Sequence, residues 1–205
     1  MNTKDPIRDR LLAVGCDLFA RQGYDGTSVR DITRRARANL GAITYHFGSK
    51  EALYHEVLAS RVEPLVELVS RAAALPRAPL DRIEAIVRTF LDYVAAHPEM
   101  PKLILRELAA ERPLPAPAQR AIQRNFGALV EAVVAGQRDG SIRRGEPPLL
   151  AFSAMAQPFF FAVGARMIRS ASGLDPRDPT VRAPVADHLV TTIRRGLAAN
   201  ATVTP

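Results

Sequence analysis

The stretch that most constrains this chain is Thr27–Lys50, TSVRDITRRARANLGAITYHFGSK. Ser28 carries a capping hydroxyl and Asp31 follows three residues later, the spacing of a capping box, so a helix is predicted to begin here. Val29, Ile32 and Ala36 then recur at helical spacing as a narrow apolar seam, leaving Arg30, Arg34 and Arg35 mostly outside it. A second short helix is predicted from Asn39, whose side chain can cap the free backbone N–H groups. Ile43 and Phe47 anchor that helix to the core, with Gly41, Ala42 and Tyr45 opposite, two very small residues and one amphipathic aromatic. Gly48 ends the helix, and Ser49-Lys50-Glu51 opens the next. This is the spacing of a helix-turn-helix, whose second helix, Asn39–Phe47, enters the major groove of DNA.

Charge supports this locally but not globally. The chain has 205 residues and a formal net charge of +7. Residues 1–60 hold nine basic and seven acidic side chains, so the excess is not concentrated around the motif. Between Arg30 and Lys50, however, five basic residues face a single acid, Asp31, and that local field is the one a phosphate meets. Lys50 at a helix start can grip a phosphate together with unsatisfied N–H groups. The Tyr45 hydroxyl suits a phosphate, and Thr44 suits a phosphate or a base edge. Thr27, Ser28 and Arg30 are further backbone-contact candidates, while His46 is read as packing.

The rest of the chain reads as helical, without strand alternation, internal repeat or low-complexity tract. Residues 1–5 are expected to be a mobile arm. Ile7, Leu11, Val14, Leu18 and Phe19 predict an amphipathic helix over 6–22, stopped by Gly23. Cys16 within it is read as packing. A long helix from Lys50 to about Ala74 follows, bent at Pro64. Further helices are predicted over Leu80–Ala96, from Pro101 through Ala109, over Ala118–Asp139, over Pro147–Ser170 and at Val185–Leu197, with residues 198–205 frayed. The N-terminus lacks a signal-peptide core, no uninterrupted apolar run approaches bilayer length, and one cysteine excludes an intramolecular disulfide framework. A cytoplasmic protein with no membrane partner is therefore expected.

Other chemistries find no support. His46, His55, His97 and His188 are scattered without an i, i+4 pair, so no metal site is expected. No phosphate loop, nucleophile elbow or paired-carboxylate motif is present, so neither an enzyme nor a cofactor is expected. Phe159, Phe160 and Phe161 span about 200° of a helix, so they cannot all face one core.

The segment from about Ile7 to Leu58 resembles the N-terminal domain of the TetR family of bacterial transcriptional repressors. The resemblance rests on Phe19-Ala20, Gly23-Tyr24, the Thr27–Ile32 run and the Gly41–Leu53 run, with the family's spacing across some 50 residues. It implies an all-α fold with an N-terminal three-helix helix-turn-helix DNA-binding domain at 1–50. Helix 51–74 would join this to a C-terminal helical-bundle ligand-binding and dimerisation domain at 75–205. It supports Thr27, Tyr45 and Lys50 most directly as DNA contacts, beside Ser28, Arg30, Asn39, Leu40, Gly41, Ala42 and Thr44. Leu40 departs from the lysine of many relatives and could pack on a thymine methyl. The implied partners are a near-palindromic double-stranded operator, a second copy of the chain and a small apolar or amphipathic effector. Phe90, Tyr93, Ile104, Arg106, Phe126, Met155 and Phe159 are the expected effector contacts, with Glu107 as an alternative polar anchor. Phe160, Phe161, Val185, Leu189 and Ile193 are the expected homodimer surface. A ligand-independent adaptor, or a helical enzyme or carrier with a vestigial helix-turn-helix, are the alternatives.

Overall fold

A computed structural model describes residues 5–199 of the chain. The described residues form nine α-helices: α1 Pro6–Gln22, α2 Val29–Ala36, α3 Ala42–Phe47, α4 Lys50–Ala73, α5 Pro79–Ala96, α6 Met100–Ala109, α7 Ala116–Asp139, α8 Pro147–Ser172 and α9 Pro179–Leu197. The all-α reading holds, and most helix ends fall within two residues of those read from sequence. Local signals explain why. The Asp5 carboxylate accepts the Ile7 and Arg8 N–H groups at the head of α1, which holds its pKa below the usual carboxylate value. Gly23, at φ 77°, closes α1 by donating its N–H to the Phe19 carbonyl. The four residues preceding Asp5 in the expected arm lie outside the described residues.

Two compact units divide the chain, the first from 1–63 and 99–121, the second from 64–98 and 122–205. The partition differs from the boundary read from sequence, because α6 and the start of α7 pack with the N-terminal helices. It cuts α4 between Glu63 and Pro64, where proline removes one intrahelical hydrogen bond. In the first unit Leu11, Leu18, Phe19, Ile32, Ile43, Leu53, Leu58 and Leu103 form the core. Beneath α6 lies a buried polar lock. Glu107, 3% exposed, accepts the Tyr54 hydroxyl at 2.5 Å and pairs with Arg112 at 3.3 Å. Burial, reinforced by Glu107, pushes the Tyr54 hydroxyl well above the usual tyrosine pKa. Arg112 also reaches Asp25 at 3.1 Å, and Arg106 donates to the Ala20 and Arg21 carbonyls at the end of α1. Cys16 is buried against Arg61, and burial raises its thiol pKa, in keeping with a packing role.

In the second unit α5, α8 and α9 pack together. Ile83, Ile86, Val87, Phe90 and Val94 of α5 and Val185, Leu189, Val190, Ile193 and Leu197 of α9 are buried in its core. Arg194 ties α9 to Asp81 and Glu84 of α5 at 2.5 and 3.1 Å, and Arg88 reaches Asp187 at 2.8 Å. Helix α8 turns small residues inward, with Ala151, Ala154, Pro158 and Ala165 buried. Leu150 is buried with them, but four of the helix's large apolar side chains point out: Leu149, Phe152, Phe160 and Met167 are 50–67% exposed. Over an 18-residue window the mean hydropathy of α8 is 1.4, so by length and composition it could cross a membrane. No uninterrupted apolar run of that length is present, since Ser153, Gln157, Gly164 and Arg166 interrupt the helix.

The chain after α9 is not wholly frayed. Ala198 forms an antiparallel bridge with Ile142, and Ala199 donates to the Ser141 carbonyl. Gly136 permits this turn, since a Cβ there would stand 2.5 Å from the Ile142 side chain. Residues 200–205 lie outside the described residues.

Candidate nucleic-acid interface

The recognition helix is assembled by a short sequence of local decisions. The Ser28 hydroxyl accepts the Asp31 N–H at 3.0 Å and donates to the Asp31 carboxylate at 2.6 Å, which lowers the Asp31 pKa. The box is therefore closed between side chains, with α2 buried through Ile32, Thr33 and Ala36. Helix α2 ends in a Schellman turn: Arg37 donates to the Arg34 carbonyl and Ala38 to the Thr33 carbonyl. Arg37 occupies the left-handed position of that turn, φ 52° and ψ 48°, which usually belongs to glycine. Asn39 then closes the next turn through its carbonyl, which accepts the Ala42 N–H at 3.1 Å. No side-chain cap forms at α3, so the expected Asn39 cap is replaced by a backbone bond, and the helix proper starts at Ala42 rather than Asn39.

One exposed surface results. Tyr45 is 84% exposed and Leu40 55%, with Ser28, Arg30, Asn39, Gly41 and Thr44 also exposed. Two expected members are missing from it. Ala42 is 6% exposed, because it lies beside Ile43 at the first turn of α3 and faces the core. Thr27 is 1% exposed, and its hydroxyl donates to the Gly23 carbonyl at 2.7 Å, bracing the α1–α2 turn. Lys50 is half-buried. Its ammonium donates to the Tyr24 and Thr27 carbonyls, both at 2.9 Å, and lies 4.1 Å from the Tyr24 ring centroid. It pins the turn before α2 to the start of α4, a role its place at a helix N-terminus did not reveal. His46 is held by Asp5 at 3.1 Å and by the edge of Tyr45, so it packs as expected.

The cations of the motif are unequal. Arg34 pairs with Asp31 and Arg35 lies 3.7 Å from Asp17. Among the described residues, the Arg30 and Arg37 guanidinium groups are exposed and have no protein partner. Arg37 was absent from the sequence-read contacts; the available signal was a non-glycine residue in the turn between two predicted helices.

Comparison with known proteins decides what this surface belongs to. Residues 11–57 match the model for bacterial regulatory proteins of the tetR family, and residues 79–193 match the tetracyclin repressor-like C-terminal domain. The chain belongs to the TetR family. The HTH-type transcriptional repressor SCO4008 of Streptomyces coelicolor is 31% identical over 172 residues, covering 82% of this chain and 86% of its relative. The HTH-type transcriptional repressor DhaR of a Mycobacterium species is 29% identical, covering 72% and 76%. Among solved structures, a tetR-family regulatory protein from Rhodococcus RHA1 superposes with a TM-score of 0.79 at 18% identity, over 96% of this chain and 99% of that one. The ketosteroid transcriptional regulator KstR2 of Mycobacterium tuberculosis gives 0.72 at 20%, over 97% and 96%. These two establish the fold. As a TetR-family member this chain is a DNA-binding transcriptional regulator and not an enzyme, and regulators of this family act as dimers.

Proposed function

We propose that the protein is a cytoplasmic, effector-released repressor that binds a near-palindromic operator as a homodimer. The observation that carries the DNA half is Tyr45, 84% exposed on a helix whose other side is sealed by Ile43 at 1%. A rigidly seated helix presenting a tyrosine hydroxyl, Thr44 and Gly41 outward suits close approach to the major groove. Leu40 supplies an apolar contact at its N-terminal edge.

The second copy is assigned to the outer face of α8. Phe152, Phe160 and Met167 follow one another along that face, and Phe161 lies half-buried beside it. Val185, Leu189 and Ile193 drop out of the proposed interface. They are 8%, 1% and 6% exposed within one subunit, where α9 packs against both α5 and α8.

The effector is assigned to the second unit. Phe90 and Tyr93 are buried there, and Phe126, Met155 and Phe159 are half-buried. Arg106, Glu107 and Ile104 belong to the first unit, and the two polar groups are committed to α1, Tyr54 and Arg112, so they are withdrawn as anchors. Asn125 replaces them. Its side-chain oxygen is buried on α7 with no hydrogen-bond partner among the described residues, between Ala121 and Leu129 on the inward face. An amphipathic effector with an N–H or O–H donor would satisfy it.

Ligand release then follows from differential affinity for two states, one of which spaces the recognition helices wrongly for the two half-sites. The test is a salt-titrated gel shift on the promoter of the chain's own gene. Saturable retardation is expected, with Tyr45→Ala weakening it at least tenfold, about 1.4 kcal/mol. Equal binding to promoter and scrambled DNA would sink the repressor reading.

A further inference from the structure

We propose that Arg37 binds the DNA backbone, and that arginine stands at this glycine-favouring position for that reason; the proposal rests on the regulator reading above. Four observations converge on it. First, Arg37 adopts φ 52° and ψ 48°, a left-handed conformation that an L side chain adopts at a cost. Second, nothing within the subunit accounts for the arginine side chain. It is exposed, and among the described residues it has neither an acid nor a carbonyl partner. Third, its neighbours are occupied, Arg34 by Asp31 and Arg35 by Asp17, which leaves Arg37 as a cation available to an outside anion. Fourth, it opens the Arg37–Gly41 turn that leads directly into α3, the helix that carries exposed Thr44 and Tyr45, and exposed Leu40 lies in that same turn. A strained residue with an unemployed charge beside a polyanion-binding helix is explained by the polyanion.

The same fold supplies an internal control. Glu111 ends α6 in an equivalent turn, at φ 52°, with Glu111 donating to the Leu108 carbonyl and Arg112 to the Glu107 carbonyl. Glu111→Gly relieves the same kind of strain without touching the DNA-facing surface.

The experiment measures full-length wild type, Arg37→Gly, Arg37→Asn, Arg37→Lys and Glu111→Gly by fluorescence anisotropy. The probes are a duplex of roughly 40 base pairs from the chain's own promoter and a scrambled duplex of the same length. Salt is varied from about 0.05 to 0.3 M. Arg37→Gly and Arg37→Asn are expected to flatten the log K against log salt slope by about 0.9 and to weaken both duplexes by a common factor, about eightfold for each decade below 1 M. Arg37→Lys retains the slope, and Glu111→Gly binds like wild type. Asparagine tolerates the left-handed region, so it separates charge from conformation. Arg37→Gly and Glu111→Gly should both melt higher, by about 2–4 °C. An unchanged slope in Arg37→Gly overturns the proposal, as does a loss confined to the promoter duplex, which would mark a base contact. A lower melting temperature in Arg37→Gly also overturns it, because the side chain would then be structural. If wild type shows no preference for the promoter, the regulator reading fails instead, and the scrambled duplex still reports on Arg37.

Discussion

Thr27 and Tyr45 carry hydroxyls in the same motif and have opposite employment. Thr27 turns its hydroxyl back onto Gly23 and is buried, whereas Tyr45 projects into solvent. The spacing of polar residues in a sequence cannot separate these, since a β-branched hydroxyl satisfies a carbonyl four residues back as readily as it meets solvent. Asn125 is the converse case, a polar group buried without a partner among the described residues. An orphaned acceptor costs about 1–3 kcal/mol, and an apolar residue of similar shape removes that cost. Asn125→Leu is therefore expected to raise the melting temperature by about 2–4 °C per kcal/mol recovered and to abolish release from the promoter by the effector. A lower melting temperature, measured by scanning calorimetry, would show that the oxygen is satisfied in solution.

At the scale of elements, α6 is the helix whose allegiance the sequence concealed. Its expected place was in a C-terminal domain from residue 75 onward, yet it lies in the first compact unit. The reason is long-range chemistry. Tyr54 and Glu107 are 53 residues apart, and Arg106 reaches Ala20 across 86. Apolar periodicity marks Leu103 and Ile104 as inward-facing without saying which core they enter. Tyr54→Phe keeps the ring and removes the hydroxyl, leaving Glu107 with Arg112 alone. A loss of about 1–3 kcal/mol is expected, read from the urea midpoint at constant m-value. The sign with pH follows from the raised Tyr54 pKa: its contribution is complete below the ordinary tyrosine value of about 10, which the unfolded chain keeps, and is lost as pH rises through the higher folded value. Tyr54→Phe should flatten the alkaline limb of the stability profile; an unchanged limb would show that other groups set it.

At the scale of the whole molecule, the arrangement of α8 is the feature with the largest consequence. Ala151, Ala154 and Ala165 are buried while Leu149, Phe152, Phe160 and Met167 face solvent, the reverse of a helix that completes its burial within one subunit. Burying the exposed apolar surface at about 25 cal/mol per Å² is the force available for pairing with a second copy. Replacing Phe152 and Phe160 together with glutamate should yield a folded monomer by analytical ultracentrifugation, with unchanged helical circular dichroism and promoter affinity reduced at least a hundredfold. A dimer that persists through both substitutions would move the interface elsewhere.

What the sequence determined alone was local. Hydrophobic residues at i, i+3 and i+4, the capping residue Ser28, and glycines at Gly23 and Gly48 marked the helices, and the Thr27–Lys50 spacing marked a helix-turn-helix, whereas Asp5, expected in a mobile arm, caps α1. Those signals act within one or two turns, where chain connectivity already holds the partners together. The tertiary structure decided which side chains were already engaged. It paired Lys50 with carbonyls 23 and 26 residues away, turned Ala42 inward, buried Val185, Leu189 and Ile193 within the subunit, and left Arg37 unpartnered among the described residues. An amphipathic pattern shows that a face is buried or that a charge is present. Only the packed neighbours determine what buries the face and whether the charge remains available to DNA.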